Sequence, residues 1–75
     1  ILYRVQTGAF AVKANAQRLL DELEDKGYDA FITTVDLAGR ILYRVQVGAF
    51  SVRSNAENMR DNLKAAGYDA IIVTA

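Results

Sequence analysis

Apolar and polar positions follow two different periods along the chain. Residues 1–7 alternate at every second position, which is typical of a β-strand with one apolar face. Over residues 16–23 the apolar positions recur at intervals of three and four, as on one side of an amphipathic helix. Residues 30–35 then form a short run rich in β-branched side chains. Because the same strand, helix and strand pattern follows at 41–47, 56–66 and 70–74, we predict a βαβ–βαβ chain.

This recurrence is an internal repeat. A shift of 40 positions aligns residues 1–35 with residues 41–75, and 20 of the 35 aligned positions are identical. The two copies are joined by residues 36–40 alone, a connection of turn length. We therefore predict a single domain, 1–75, built of the two repeats.

Two βαβ units joined by a tight hairpin specify an α+β fold of the ferredoxin-like, RNP-type βαββαβ class. We predict a four-stranded antiparallel sheet of order 4-1-3-2, with both helices on one face. Gly27 and Gly67 lie where a helix C′ residue belongs, so each helix should end there. Ser54 with Glu57 fits a capping box, and Ser51 is the alternative N-cap. We expect the Gly-Ala pairs at 8–9 and 48–49 to turn the chain from strand to helix.

Composition excludes several classes of function. The 75 residues carry nine basic and nine acidic side chains, so no net charge attracts nucleic acid or an anionic membrane. Cysteine and histidine are both absent, which removes thiol chemistry, the usual zinc ligands and the common general base. No apolar run approaches the roughly 20 residues that span a bilayer. We expect a binding module with no catalytic residues, no metal and no cofactor.

The candidate site is the face of the predicted sheet that the helices leave uncovered, which we call the helix-free face. Alternation gives this face a centre of amides and guanidinium groups with apolar and threonine side chains around it. Glutamine donates and accepts hydrogen bonds and arginine donates in a planar fork, so the face suits a ligand rich in hydroxyls and amides. Its residues are Leu2, Arg4, Gln6, Phe31, Thr33, Leu42, Arg44, Gln46, Ile71 and Val73.

Other interpretations remain open from the residues alone. The polar side chains could be a merely solvated face. An RNA-binding sheet of the same topology would need stacked aromatic side chains and a basic face, which this sequence lacks. A small-molecule regulatory domain that pairs through its apolar edge strands is possible. A symmetrised or designed protein without a ligand would also fit the repeat.

One motif resembles a known family. Residues 43–50, Tyr-Arg-Val-Gln-Val-Gly-Ala-Phe, are followed by Ser51 and by Asn55-Ala56, and this segment resembles the SPOR domain, the sporulation-related repeat. Residues 3–16 repeat the motif with Thr7 and Ala11 substituted. The resemblance covers essentially the whole chain and is greatest to the C-terminal wall-binding modules of sporulation N-acetylmuramoyl-L-alanine amidases.

The resemblance implies the same βαββαβ fold and a peptidoglycan ligand, namely glycan strands stripped of stem peptides. It implies a contact by Gln6, with matching positions at Leu42, Arg44, Gln46 and Ile71. Many relatives carry a tryptophan on this face and a serine at the positions of Ala9 and Ala49, whereas this chain has no tryptophan. Phe31 is the best substitute for the missing aromatic side chain. The candidate glycan-binding residues are Arg4, Gln6, Phe31, Leu42, Arg44, Gln46 and Ile71.

The same resemblance implies a cellular role. We expect a monomeric module that brings an attached hydrolase to the bacterial cell wall, outside the cytoplasm, in the mother-cell or spore wall of a spore-forming bacterium. Neither nucleic acid nor membrane is an expected partner.

Overall fold

The computed structural model of the chain describes residues 1–74, so Ala75, the last residue of the second repeat, lies outside the described part. The elements follow the predicted order of strand, helix and strand, twice. They are β1 (Tyr3–Phe10), α1 (Lys13–Asp25), β2 (Ala30–Leu37), β3 (Arg40–Phe50), α2 (Arg53–Ala65) and β4 (Ile71–Thr74).

The four strands form one antiparallel sheet in the order β2-β3-β1-β4. Read from the other edge this is 4-1-3-2, which confirms the predicted topology. The two central strands, β1 and β3, carry the repeated Leu-Tyr-Arg-Val-Gln segments. The α+β class and the antiparallel pairing of the two repeats were therefore predictable from the sequence pattern.

The hydrophobic core lies between the sheet and the two helices. Each helix contributes a buried alanine and a buried leucine seven residues later, Ala16 with Leu23 and Ala56 with Leu63. That spacing places both side chains on one stripe of the helix. The sheet contributes buried Val5, Val45 and Val47, which therefore face the helices.

The helix C-termini agree with the sequence prediction. After α1 the Gly27 N–H donates to the Glu24 carbonyl at 2.9 Å and the Tyr28 N–H donates to the Leu23 carbonyl at 3.0 Å. The matching pair of bonds follows α2 at Gly67 and Tyr68. Both ends are Schellman motifs, which stop the helices at the positions where the glycines predicted an end.

The predicted N-caps are wrong. The N-cap residues are Val12 and Val52, and neither helix has a side-chain cap bond. Because α2 begins at Arg53, Ser54 lies inside its first turn and Ser51 lies outside it. Glu57 instead pairs with Arg53 one turn earlier, at 3.5 Å between Oε2 and Nε.

The central strands run further than predicted. We expected the Gly-Ala pairs to turn the chain, but β1 continues to Phe10 and β3 continues to Phe50. The pairing of β1 with β3 is irregular at Thr7 and Gly48, where one strand has an extra residue. Gly48 has a φ of +76°, and a Cβ there would lie 2.7 Å from the Phe50 ring. The glycine therefore permits a β-bulge, which bends the strand without ending it.

A two-residue turn joins β2 to β3. Ala38 and Gly39 both have positive φ, +52° and +84°, as a type I′ hairpin requires. The Gly39 N–H donates to Asp36 Oδ1 at 3.0 Å and so holds the turn. As a result Leu37 and Arg40, which we assigned to a connecting turn, belong to paired strands.

Candidate functional site

The seven candidate residues all lie on the helix-free face. Val5 and Val45 are buried against the helices, so the residues next to them in β1 and β3 lie on the opposite side of the sheet. Because residues paired across a ladder share a face, the strand register fixes where each candidate lies.

A central row of four residues crosses the whole sheet. Phe31 of β2 pairs with Gln46 of β3, Gln46 pairs with Gln6 of β1, and Gln6 pairs with Ile71 of β4. The neighbouring strands of a sheet lie about 4.8 Å apart, so this row spans roughly 14 Å. Two amides therefore lie side by side at the centre, with one apolar side chain at each end.

The two arginines lie on opposite sides of this central row. Arg44 is paired with Thr33 on one neighbouring strand and Ala9 on the other. Arg4 is paired with Ala49 and with Val73 of β4. On the other central strand, each arginine is therefore paired with an alanine and not with a large side chain.

The two glutamines differ in exposure, which the repeat does not predict. Gln46 is only 3% exposed, whereas Gln6 is half-buried. Phe31 and Ile71, at the ends of the row, are 36% and 57% exposed. The row therefore has a recessed polar centre and raised apolar ends.

Two polar atoms of this face are buried without a hydrogen-bond partner among the residues that the structure describes. They are Oε1 of Gln46, an acceptor, and Nε of Arg4, a donor. Buried polar groups in native proteins are nearly always hydrogen-bonded, and an unpaired one costs about 1–3 kcal/mol. Both atoms are covered by protein atoms, so a bound molecule can form hydrogen bonds with them only after side chains of this face move.

A groove lies where the β2–β3 hairpin meets the end of β1. It has a volume of about 290 Å³, and we call it the hairpin groove; its lining residues are Ala11, Leu37, Arg40, Ile41 and Leu42. Of these, Leu42 was the only one among the seven candidates. Arg40 was missed because the sequence shows it only as the last residue between the two repeats. The turn residue Gly39 next to it was the one available signal.

The aromatic side chains of the central strands lie on the other side of the sheet. Tyr3 and Tyr43 pack against the core, beside the helices. Along β1 and β3 the helix-free face therefore carries arginine and glutamine where an RNA-binding sheet of this topology has stacked aromatic side chains.

Two further observations concern chemistry and membranes. Within residues 1–74 no three acidic side chains come together as a metal ion would require. In the same part of the chain, neither helix is long and apolar enough to cross a membrane.

A cluster of Glu22, Lys26 and Tyr68, which lies outside the helix-free face, joins the two repeats. Tyr68 donates to Glu22 Oε1 at 2.8 Å, and Lys26 Nζ lies 4.9 Å from the Tyr68 ring centre. The neighbouring Tyr68 side chain raises the pKa of Lys26 above its ordinary 10.5. These contacts tie the end of α1 to the segment after α2.

Comparison with known proteins places the chain among its relatives. The sporulation-specific N-acetylmuramoyl-L-alanine amidase of Bacillus subtilis (strain 168) is 51% identical over 35 residues, which is 47% of this chain and 14% of the amidase. The aligned part is thus a small fraction of that curated relative.

Two solved structures share the fold over nearly the whole chain. The peptidoglycan-binding domain of the B. subtilis cell wall lytic enzyme CwlC is 47% identical, with a TM-score of 0.78, over 96% of this chain and 86% of that domain. The RlpA SPOR domain from Pseudomonas aeruginosa is 27% identical, with a TM-score of 0.79, over 100% of both chains. The family model of the SPOR domain matches residues 1–74, and this chain therefore belongs to the SPOR domain family.

Proposed function

We propose that this chain is a non-catalytic module that binds peptidoglycan, with a glycan strand lying across the helix-free face. Two findings support the proposal. The CwlC domain, 47% identical, is a peptidoglycan-binding domain. The observation that carries the site assignment is the central row, where paired amides lie between Phe31 and Ile71.

The chemistry of the row matches that of an N-acetylated sugar polymer. Gln6 and Arg44 offer hydrogen bonds to hydroxyl groups, since amides donate and accept and guanidinium groups donate. Once the side chains that cover them move, the unpaired Oε1 of Gln46 can accept from an acetamido N–H, and the unpaired Nε of Arg4 can donate to a carbonyl or hydroxyl oxygen. Phe31 and Ile71, both exposed, cover the less polar faces of the sugar rings.

The preferred ligand is glycan stripped of its stem peptides. A strand that lies flat on the sheet has no space beneath it for a peptide at each lactyl group. A shallow polar site of this kind gives a modest affinity, about micromolar or −8 kcal/mol. Such an affinity suits a monomeric module that raises the local concentration of an attached wall hydrolase, such as an amidase. The site of action is then the cell wall, in the mother-cell or spore wall of a spore-forming bacterium.

Co-sedimentation with purified cell walls tests this function. The chain is incubated with intact walls and with walls whose stem peptides an amidase has removed. We expect more protein in the pellet with the stripped walls. No pelleting with either preparation would overturn the proposal.

Single substitutions test the site. Gln6→Ala and Gln46→Ala should each weaken pelleting, because each removes an amide from the central row. Gln17→Ala is the matched control, since Gln17 is exposed on α1 and bonds to Asp21. If Gln6→Ala, Gln46→Ala and the double variant all pellet like the unchanged chain, the site lies elsewhere.

A further inference from the structure

The hairpin groove is continuous with the helix-free face. Phe10 pairs with Tyr43, so the next residues along the two strands, Ala11 and Leu42, lie on the helix-free side. Leu42 also pairs with Val35, next to the row formed by Thr33 and Arg44. A polymer that runs diagonally over the face, from the central row past Arg44, therefore meets the groove as its next contact.

The lining of the groove combines apolar walls with a single cation. Four of its five lining residues are apolar, and the fifth is Arg40. Arg40 is exposed and makes no ion pair within residues 1–74. The acidic residue of the hairpin, Asp36, already accepts the Gly39 N–H. The guanidinium is therefore available to an external anion.

This combination fits a small aliphatic carboxylate and does not fit a bare sugar ring. Hydroxyl groups gain nothing from walls of leucine and isoleucine, whereas a methyl group does. A carboxylate matches the planar fork of a guanidinium and can accept two hydrogen bonds from it. The lactyl ether of a muramic acid residue carries one methyl group and one carboxylate on the same carbon atom.

We propose that the hairpin groove binds the lactyl group of a muramic acid residue, with Arg40 paired to its free carboxylate. This inference rests on the proposed function and adds a specificity determinant to it. In a peptide-bearing strand the same carboxyl group forms an amide with the stem peptide, so the negative charge is absent. The stem peptide would also have to extend out of the groove. Arg40 thus selects stripped strands by charge, in addition to any steric exclusion.

Isothermal titration calorimetry with three oligosaccharides of equal length tests the inference. The first is stripped glycan with free lactyl carboxylates, the second is the same glycan with each carboxylate converted to a methylamide, and the third is a chitin oligosaccharide without lactyl groups. The unchanged chain should bind the first about two- to fivefold more tightly than the other two, as one exposed ion pair with a bidentate geometry allows.

The variant Arg40→Gln should lose that preference and bind all three oligosaccharides alike. Arg18→Gln is the matched control, because Arg18 is an exposed arginine on α1, on the other side of the sheet. Circular dichroism establishes that both variants are folded. Increasing salt should reduce the preference of the unchanged chain and leave Arg40→Gln unaffected.

The outcomes separate this inference from the proposed function. If the unchanged chain binds the three oligosaccharides equally and Arg40→Gln changes none of them, the lactyl assignment is overturned while glycan binding stands. If the unchanged chain binds no oligosaccharide, the proposed function itself is overturned.

Discussion

The buried amide of Gln46 should lower the stability of the fold while it serves binding, and the variant Gln46→Met tests both effects. The side chain is 3% exposed, and its Oε1 has no hydrogen-bond partner within residues 1–74. Methionine has nearly the same length and shape but no polar group that needs a hydrogen bond. The substitution therefore removes an unsatisfied acceptor without opening a cavity.

The expected magnitude follows from the cost of that acceptor. A buried carbonyl without a partner costs about 1–3 kcal/mol, and replacing it with an apolar group of similar shape recovers most of this. We expect the free energy of unfolding to rise by about 1–2 kcal/mol. For a domain of this size, each kcal/mol raises the Tm by about 4–8 °C. Affinity for stripped glycan should fall at the same time, by about tenfold.

Urea unfolding followed by circular dichroism measures the stability, and calorimetry with a stripped oligosaccharide measures the affinity. Gln6→Met is the matched control, because Gln6 is the equivalent residue of the other repeat but is only half-buried. Its amide keeps contact with water, so its stability should change by less than about 0.5 kcal/mol. A Gln46→Met variant that loses 1 kcal/mol or more would refute the reasoning, since the amide would then be structurally required.

Four further predictions concern the turn, the bulge and two effects of pH. Ala38→Asn should raise the free energy of unfolding by about 0.5–1 kcal/mol, because asparagine tolerates the left-handed backbone of a type I′ turn. A lower free energy of unfolding, measured with urea, would contradict this. Gly48→Ala should lower the free energy of unfolding by about 2 kcal/mol or more, because Gly48 combines a positive φ with a close contact to Phe50. Gly8→Ala should lower it by less, because Gly8 has a close contact but no positive φ. Equal losses for the two glycine variants would rule out the strained backbone as the cause. The neighbouring Tyr68 raises the pKa of Lys26, so the contribution of this contact to stability, measured by urea unfolding, should be complete below pH 10.5 and be lost as the pH rises through the folded value. Since the chain has no histidine, glycan affinity measured by calorimetry should be constant between about pH 6 and 8, and a steep change there would contradict the proposed contacts.

The fold was predictable because the repeat imposes the same local pattern twice. Alternation placed Arg4 and Gln6 on one face of the sheet and Val5 on the other, and the register of the strands agrees. The glycines at 27 and 67 ended the helices as expected, since the backbone bonds of a Schellman motif are local.

The features that the sequence pattern missed depend on contacts between distant residues. Gln6 and Gln46 have identical local sequences before them, yet they differ in burial and in their neighbours across the sheet, which are Ile71 and Phe31 respectively. The bulge at Gly48 depends on the pairing of two strands that are far apart in the chain. Arg40 acquires its place in a groove only when the hairpin meets the end of β1.

The central claim is that the helix-free face binds stripped glycan, and a titration followed by amide NMR tests it most directly. With ¹⁵N-labelled chain and a stripped oligosaccharide, we expect the largest shift changes at the side-chain amides of Gln6 and Gln46 and at the backbone of Phe31 and Ile71. The exposed faces of α1 and α2 should be unaffected. Changes confined to the helices, or none at millimolar oligosaccharide, would contradict the account.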